Sequence, residues 1–152
     1  MDYLLDSNII LIYSRNDEVT RNLESKYKIF SGGNRMGISV VSKGEIEASI
    51  LKSDLGEKRK YRIKTLMNQL TTFGINFEEV INSYAKIDAF SQGKLIASKK
   101  KFSSRNMGKN DIWIAATASA FKLKLITTDK DFNHLENDYV NLLYIPLKEM
   151  ME

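Results

Sequence analysis

Four acidic residues that are far apart in the chain fall at comparable points of the predicted elements: Asp6, Glu45, Asp111 and Asp129. Asp6 directly follows an apolar run, Glu45 lies just beyond the predicted second strand, and Asp129 lies just beyond the fourth. Asp111 opens an alanine-rich helix. Since active groups of parallel sheets collect beyond the carboxyl ends of the strands, we expect the four carboxylates to meet at one edge of a sheet.

Carboxylates gathered at one edge repel one another unless a cation lies between them. The chain has no cysteine and a single histidine, His134, which excludes thiolate and multi-histidine zinc sites. Hard oxygen donors suit Mg²⁺ or Mn²⁺. Such an ion lowers the pKa of bound water and stabilises the leaving oxygen of a phosphodiester displacement. The acids therefore predict metal-dependent phosphodiester chemistry.

Each acid also has a structural interpretation. Ser42 and Glu45 form the S-x-x-E pattern of a helix capping box, and Asp111 would favour the dipole of its helix. Asp129 would make a turn or a cap. Asp6 is the hardest to explain in this way, because an acid at the end of a buried strand is uncommon without a role. The metal interpretation depends on all four acids occurring together.

The elements that would position these acids alternate between strand and helix. Alternation favours right-handed crossovers and a parallel sheet covered on both faces by helices, here as a single domain over 1–152. Strands are predicted at 3–5, 36–41, 73–77, 123–127 and 140–145. Helices are predicted after Asp6, over 19–30, from Ser42 towards Leu51, over 63–70, over 78–100, and from Asn110, which would cap the last one.

The charge pattern is compatible with a polyanionic partner without proving one. The net charge is +4, a modest excess, and two basic clusters occur, at 58–62 and at 99–109. Each cluster is either a solvated surface or an RNA-contacting patch. The N-terminus lacks the pattern of a signal peptide and its apolar run is too short to span a bilayer, so we expect a cytoplasmic protein without a membrane partner.

Four segments taken together resemble the PIN-domain nucleases, and most closely the VapC-like toxins of bacterial toxin–antitoxin pairs. The most specific part is Asn110-Asp111 followed by Ile114-Ala115-Ala116 and then by Thr127-x-Asp129-x-Asp131-Phe132. The region of Glu45 departs somewhat, since Lys43-Gly44 replaces other small or apolar residues. The segments are Leu4-Leu5-Asp6-Ser7-Asn8, Glu45, Gly108 to Ala116, and Thr127 to Phe132.

The resemblance implies a three-layer α/β/α fold and a Mg²⁺- or Mn²⁺-dependent endoribonuclease. It also implies a homodimer, inhibited by a small antitoxin whose tail occupies the acidic groove. Three acids match the principal metal ligands and one matches a more variable fourth: Asp6, Glu45 and Asp111, then Asp129. Polar residues predicted to hold these acids are Asn8, Thr127 and Asp131. Residues predicted to contact the RNA backbone are Arg105 and Lys109.

Three other functions stay open on the sequence. An RNA-processing PIN nuclease would have no antitoxin. A phospho-receiver module would need an aspartate after its third strand, where this chain has Asn76-Phe77-Glu78. A non-catalytic protein could use an acidic groove to bind a basic peptide, although retention of all four acids argues against it.

Overall fold

Five parallel strands form one central sheet in the computed structural model, which describes residues 2–95 and 107–150. The order β3-β2-β1-β4-β5 places β1 in the middle, and the chain winds outwards from it in both directions. The carboxyl ends of β1, β2 and β4 are therefore adjacent. The strands are β1 Tyr3–Leu5, β2 Met36–Ser39, β3 Thr71–Phe73, β4 Lys124–Thr127 and β5 Asn141–Tyr144.

Helices cover both faces of the sheet, because successive strand residues point in opposite directions. Leu4 packs into the core beneath α5 and α6, whereas Leu5 packs into the core beneath α1 to α4. The expected three-layer α/β/α fold is thus confirmed. The helices are α1 Ser7–Tyr13, α2 Glu18–Tyr27, α3 Val40–Lys52, α4 Glu57–Asn68, α5 Glu78–Ser91 and α6 Lys109–Ala120, with two short 3₁₀ helices at Lys130–Leu135 and Leu147–Met150.

Several predicted boundaries were wrong. β3 spans Thr71–Phe73 rather than 73–77, and α4 begins at Glu57, six residues before its predicted start at 63. α5 ends at Ser91 instead of continuing to 100, because Gly93 adopts a left-handed conformation with φ of 70°. The remainder of that predicted helix, 96–100, lies outside the described residues.

Two predicted helix caps were also wrong, and one of them bears on the site. Ser39 is the N-cap of α3 and accepts a hydrogen bond from the Val41 amide at 3.1 Å. Ser42 is buried inside the first turn, so it forms no capping box with Glu45. Gly108, not Asn110, is the N-cap of α6. The capping interpretation of Glu45 is therefore excluded.

Within the described ranges, no helix is both long and apolar enough to cross a membrane.

Candidate active site

Asp6 is held from two sides at the junction of β1 and α1. Its Oδ1 accepts a hydrogen bond from the Ser7 amide at 2.8 Å, which caps α1, and its Oδ2 accepts one from the Thr127 hydroxyl at 2.7 Å. Asp6 is only 4% exposed. Burial raises the pKa of this carboxyl, although the hydrogen bonds from Thr127 and Ser7 oppose the rise. The charged form of Asp6 is costly unless a cation compensates for its burial.

Thr127 joins two of the acids from the end of β4. Its hydroxyl donates to Asp6 and accepts a hydrogen bond from the Asp129 amide at 3.0 Å. Asp129 in turn accepts a hydrogen bond through Oδ1 from the Asp131 amide at 2.9 Å, which caps the following 3₁₀ helix. The side chain of Thr127 is fully buried. One hydroxyl therefore fixes the spacing between β1 and the turn after β4.

Asp111 faces these acids from the first turn of α6. Its pKa is raised to about 7, first by desolvation and then by the charges of Asp6 and Asp129, with smaller contributions from Glu45 and Asp131. This rise in pKa shows that Asp111 is partly buried and that other negative charges lie near it at this edge. The four predicted acids are therefore brought together in space.

Glu45 projects towards the cluster from the second turn of α3. Its Oε1 lies 3.4 Å from the Ser7 hydroxyl, and its charge raises the pKa of both Asp6 and Asp111. Ser7 thus contacts two acids, through its amide and through its hydroxyl. Sequence reasoning missed Ser7 as a functional residue, and the available signal was its place directly after a strand-end acid, in the first turn of a helix.

The acids fit a divalent cation geometrically as well as chemically. Asp111, Asp129 and Asp131 each offer a carboxylate oxygen, and these oxygens lie within 4.8 Å of one another. These three carboxylates could hold a small, hard divalent cation, which would take its other ligands from water or substrate phosphate. Asp131, predicted only to support the other acids, is thus itself among the candidate ligands.

A family model describing the PIN domain matches residues 3–137 of the chain. The chain belongs to the PIN-domain family. Ribonuclease VapC4 of Mycobacterium tuberculosis (strain ATCC 25618 / H37Rv) is 31% identical to it over 102 residues, which cover 66% of this PIN domain protein and 71% of the relative.

Solved structures of low sequence identity share the fold. VapBC-1 from nontypeable Haemophilus influenzae superposes with a TM-score of 0.68 at 22% identity, covering 95% of this chain and 98% of that one. VapBC2 from Rickettsia felis, solved with a DNA fragment from its promoter, gives 0.67 at 18% identity, covering 95% and 99%. These similarities show that the chain shares its fold with those structures over 95% of its length.

Asn8 and Lys109, two further predicted site residues of this PIN domain, are both exposed. Asn8 is exposed on α1 and makes no hydrogen bond to the acids within the described residues. Lys109 is exposed as the first residue of α6, two positions before Asp111. Arg105 and the lysines at 99–101 lie outside the described residues.

Part of the other basic cluster has an internal structural role. Arg59 donates to the Ser14 hydroxyl at 3.0 Å and to the Leu11 carbonyl at 3.0 Å. Arg62 donates to the Ser14 carbonyl at 2.6 Å. These two guanidinium groups hold α4 against the carboxyl end of α1, where the last carbonyls of a helix need donors. The two arginines of this cluster therefore stabilise the packing of α4 against α1.

Proposed function

We propose that this PIN domain is a Mg²⁺- or Mn²⁺-dependent endoribonuclease. The observation that carries the proposal is the convergence of Asp6, Glu45 and Asp111 with the Asp129–Asp131 turn, at an edge where the pKa of Asp111 rises to about 7. Such an accumulation of charge opposes folding unless a cation or a proton relieves it. The similarity to a protein named as a ribonuclease supports RNA as the substrate.

Some side chains of the site would bind the ion, and others orient the side chains that bind it. Asp111, Asp129 and Asp131 would hold the ion, with Asp6 and Glu45 beside them. When bound, the ion supplies an activated water and neutralises charge on the phosphate. Thr127 keeps Asp6 at a fixed distance from the Asp129 backbone, and Ser7 orients Glu45 towards the same edge. Such hydrogen bonds orient metal ligands in general.

We further propose that the protein is the toxin of a toxin–antitoxin pair, acting in the cytoplasm as a homodimer. The toxin–antitoxin role is supported by similarity to VapBC structures, one of them described as a member of a family of toxin–antitoxin systems, and to Ribonuclease VapC4. A small antitoxin would occupy the acidic edge and prevent cleavage. A nuclease of RNA processing would instead have no such inhibitor.

The enzymatic proposal is tested by incubating the purified protein with structured and single-stranded RNAs in Mg²⁺, Mn²⁺ or EDTA. We expect cleavage only with a divalent ion, and losses of at least 100-fold in Asp6→Asn and Asp111→Asn. Asp54→Asn is the matched control, because Asp54 is an exposed acid between α3 and α4. Cleavage that persists undiminished in EDTA would overturn the metal mechanism.

The biological proposal has its own test. Induced expression of the parent should arrest bacterial growth, whereas Asp111→Asn should not. Co-expression of the short reading frame next to the gene should restore growth, and its product should co-purify with the PIN domain. Growth unaffected by the active parent, with no such neighbouring frame, would favour an RNA-processing role.

A further inference from the structure

A groove of about 580 Å³ extends from the acidic edge along one face of α3. It runs from Val40 and Val41 in the first turn, past Gly44, Glu45 and Ala48, to Lys52 in the last turn of the helix. These positions share one helix face, since they follow the spacing of three or four residues. Asn110, next to Asp111 on α6, contributes to its lining. The groove and the acids therefore form one continuous surface.

Gly44 leaves open space in the groove that none of the described residues occupies. It is exposed inside α3, and a Cβ added there would meet no atom within 4 Å. Alanine is more stable than glycine in a helix interior, so the packing of the chain would favour alanine at this position. Among residues 2–95 and 107–150, nothing fills the space beside Glu45, so a bound molecule has room there.

One end of the groove meets the acidic edge, where the proposed ion would bind a phosphate, and the other end carries a cation. Lys52 is exposed and forms no ion pair with any residue of 2–95 or 107–150. It lies about 10 Å along the helix axis from Glu45. The carboxyl end of a helix repels anions, so a phosphate at this point would need the ammonium group of Lys52.

Two valines provide an apolar patch on the other side of Glu45 from Lys52. Val40 is 41% exposed and Val41 lies beside it, both in the first turn of α3, so the flat face of a base can pack there, next to the acids. The volume of the groove is that of a small-molecule pocket, and unpaired bases are the part of RNA that proteins can bind individually. We propose that the groove binds an unpaired nucleotide next to the cleaved bond, with Lys52 contacting the adjacent phosphate.

This inference rests on the proposed function. Measurements of RNA binding test the groove, whereas measurements of RNA cleavage test the nuclease activity. Anisotropy of a labelled single-stranded oligoribonucleotide is recorded at fixed Mg²⁺ over a series of salt concentrations. Lys52→Gln should make the slope of log K against log salt less steep by about 0.7, the value for one phosphate contact on a single strand. Lys43→Gln, on another face of α3, should leave the slope unchanged.

The steric part is tested by Gly44→Leu, which should weaken binding at least tenfold. Ala85→Leu on the exposed face of α5 is its control and should bind like the parent. Gly44→Ala controls for misfolding of Gly44→Leu. Its melting temperature should be no lower than that of the parent, and it should still bind the oligonucleotide less tightly. Pairing the oligonucleotide with its complement should remove the difference between Gly44→Leu and the parent.

The outcomes are distinguishable. Parental affinity in Gly44→Leu together with a parental slope in Lys52→Gln would overturn the groove assignment. An equal loss of affinity for duplex RNA in Gly44→Leu would overturn the requirement for an unpaired nucleotide. A parent that binds RNA without cutting it would overturn the nuclease proposal, while the same comparisons would still decide the groove. A parent that binds no RNA would overturn both.

Discussion

Asp6 and Asp129 each serve local structure and candidate chemistry at once. Asp6 caps α1, and Asp129 caps the 3₁₀ helix at Lys130–Leu135. Each carboxylate oxygen has two lone pairs, so an oxygen that accepts one hydrogen bond, as both oxygens of Asp6 and Oδ1 of Asp129 do, can still bind a cation. The structural and metal-binding interpretations of these acids are therefore compatible. The caps fix the carboxylates in place before any ion is present.

Thr127 allows a direct test of this positioning. Thr127→Val removes the hydroxyl that joins Asp6 to the Asp129 amide, and we expect cleavage or metal affinity to fall about 10–100-fold. Thr127→Ser keeps the hydroxyl and should recover most of the loss. Metal affinity by calorimetry and cleavage rate are measured together. Equal losses in both variants would show that the methyl group, not the hydroxyl, matters.

Asp111 predicts a pH dependence of the metal-free protein. Its pKa rises from 3.8 to about 7 on folding, first through desolvation. The folded state therefore binds this proton more tightly than the unfolded state, and the contribution of Asp111 to stability is lost as pH rises through 7. In EDTA, the melting temperature should fall between pH 5 and pH 8.

Asp111→Asn should flatten that fall. The variant should melt a few degrees above the parent at pH 8, since about 1 kcal/mol corresponds to about 2–4 °C in a chain of this size. It should also lack cleavage activity. Melts in EDTA at both pH values provide the measurement, with Asp54→Asn as control. A large loss of stability at pH 8 would identify Asp111 as chiefly structural.

At the scale of elements, the parallel order explains why the acids meet. β1 lies between β2 and β4, so the chain segments that follow these strands emerge side by side. The alternation of strand and helix predicted a parallel sheet with the acids at one edge, because hydrophobic periodicity and the handedness of crossovers determine that much, whereas the strand order was not predicted. Convergence of Asp6, Glu45, Asp111 and Asp129 was therefore predictable.

Helix boundaries were less predictable because neighbouring residues offer alternative caps. Ser39 and Ser42 both precede an apolar stretch, and only Ser39 has the extended backbone, with φ of −69° and ψ of 144°, that a cap requires. The role of Ser7 was equally hidden, since a contact with Glu45 depends on side-chain orientation across 38 residues of sequence. Spacing along the chain contains no such information.

The two serines of α3 give an element-scale prediction. Ser39→Ala removes the hydrogen bond to the Val41 amide and should lower the free energy of unfolding by about 1 kcal/mol. Ser42→Ala should change it by no more than about 0.5 kcal/mol, because the buried Ser42 hydroxyl has no hydrogen-bond partner in the described structure. Urea denaturation compares the two. The reverse order would restore Ser42 as the cap.

At the scale of the whole molecule, the candidate ligands connect parts of the chain that belong to different layers. The turn after β1, the helix α3, the helix α6 and the turn after β4 each provide an acid. These groups come together only in the folded chain. An ion that binds them should therefore stabilise the entire fold, because it binds the native state and not the unfolded one.

The size of that stabilisation can be predicted. An ion at 100 times its dissociation constant adds about 2.7 kcal/mol, which corresponds to roughly 5–10 °C in melting temperature for a chain of this length. Mg²⁺ or Mn²⁺ should produce this rise in the parent and in Asp54→Asn, measured against NaCl of equal ionic strength. The rise should be nearly absent in Asp111→Asn and reduced in Asp131→Asn. Should Asp111→Asn respond to the ion like the parent, the ion would have to bind elsewhere, and the acids of β1, α3, α6 and β4 would not form its site.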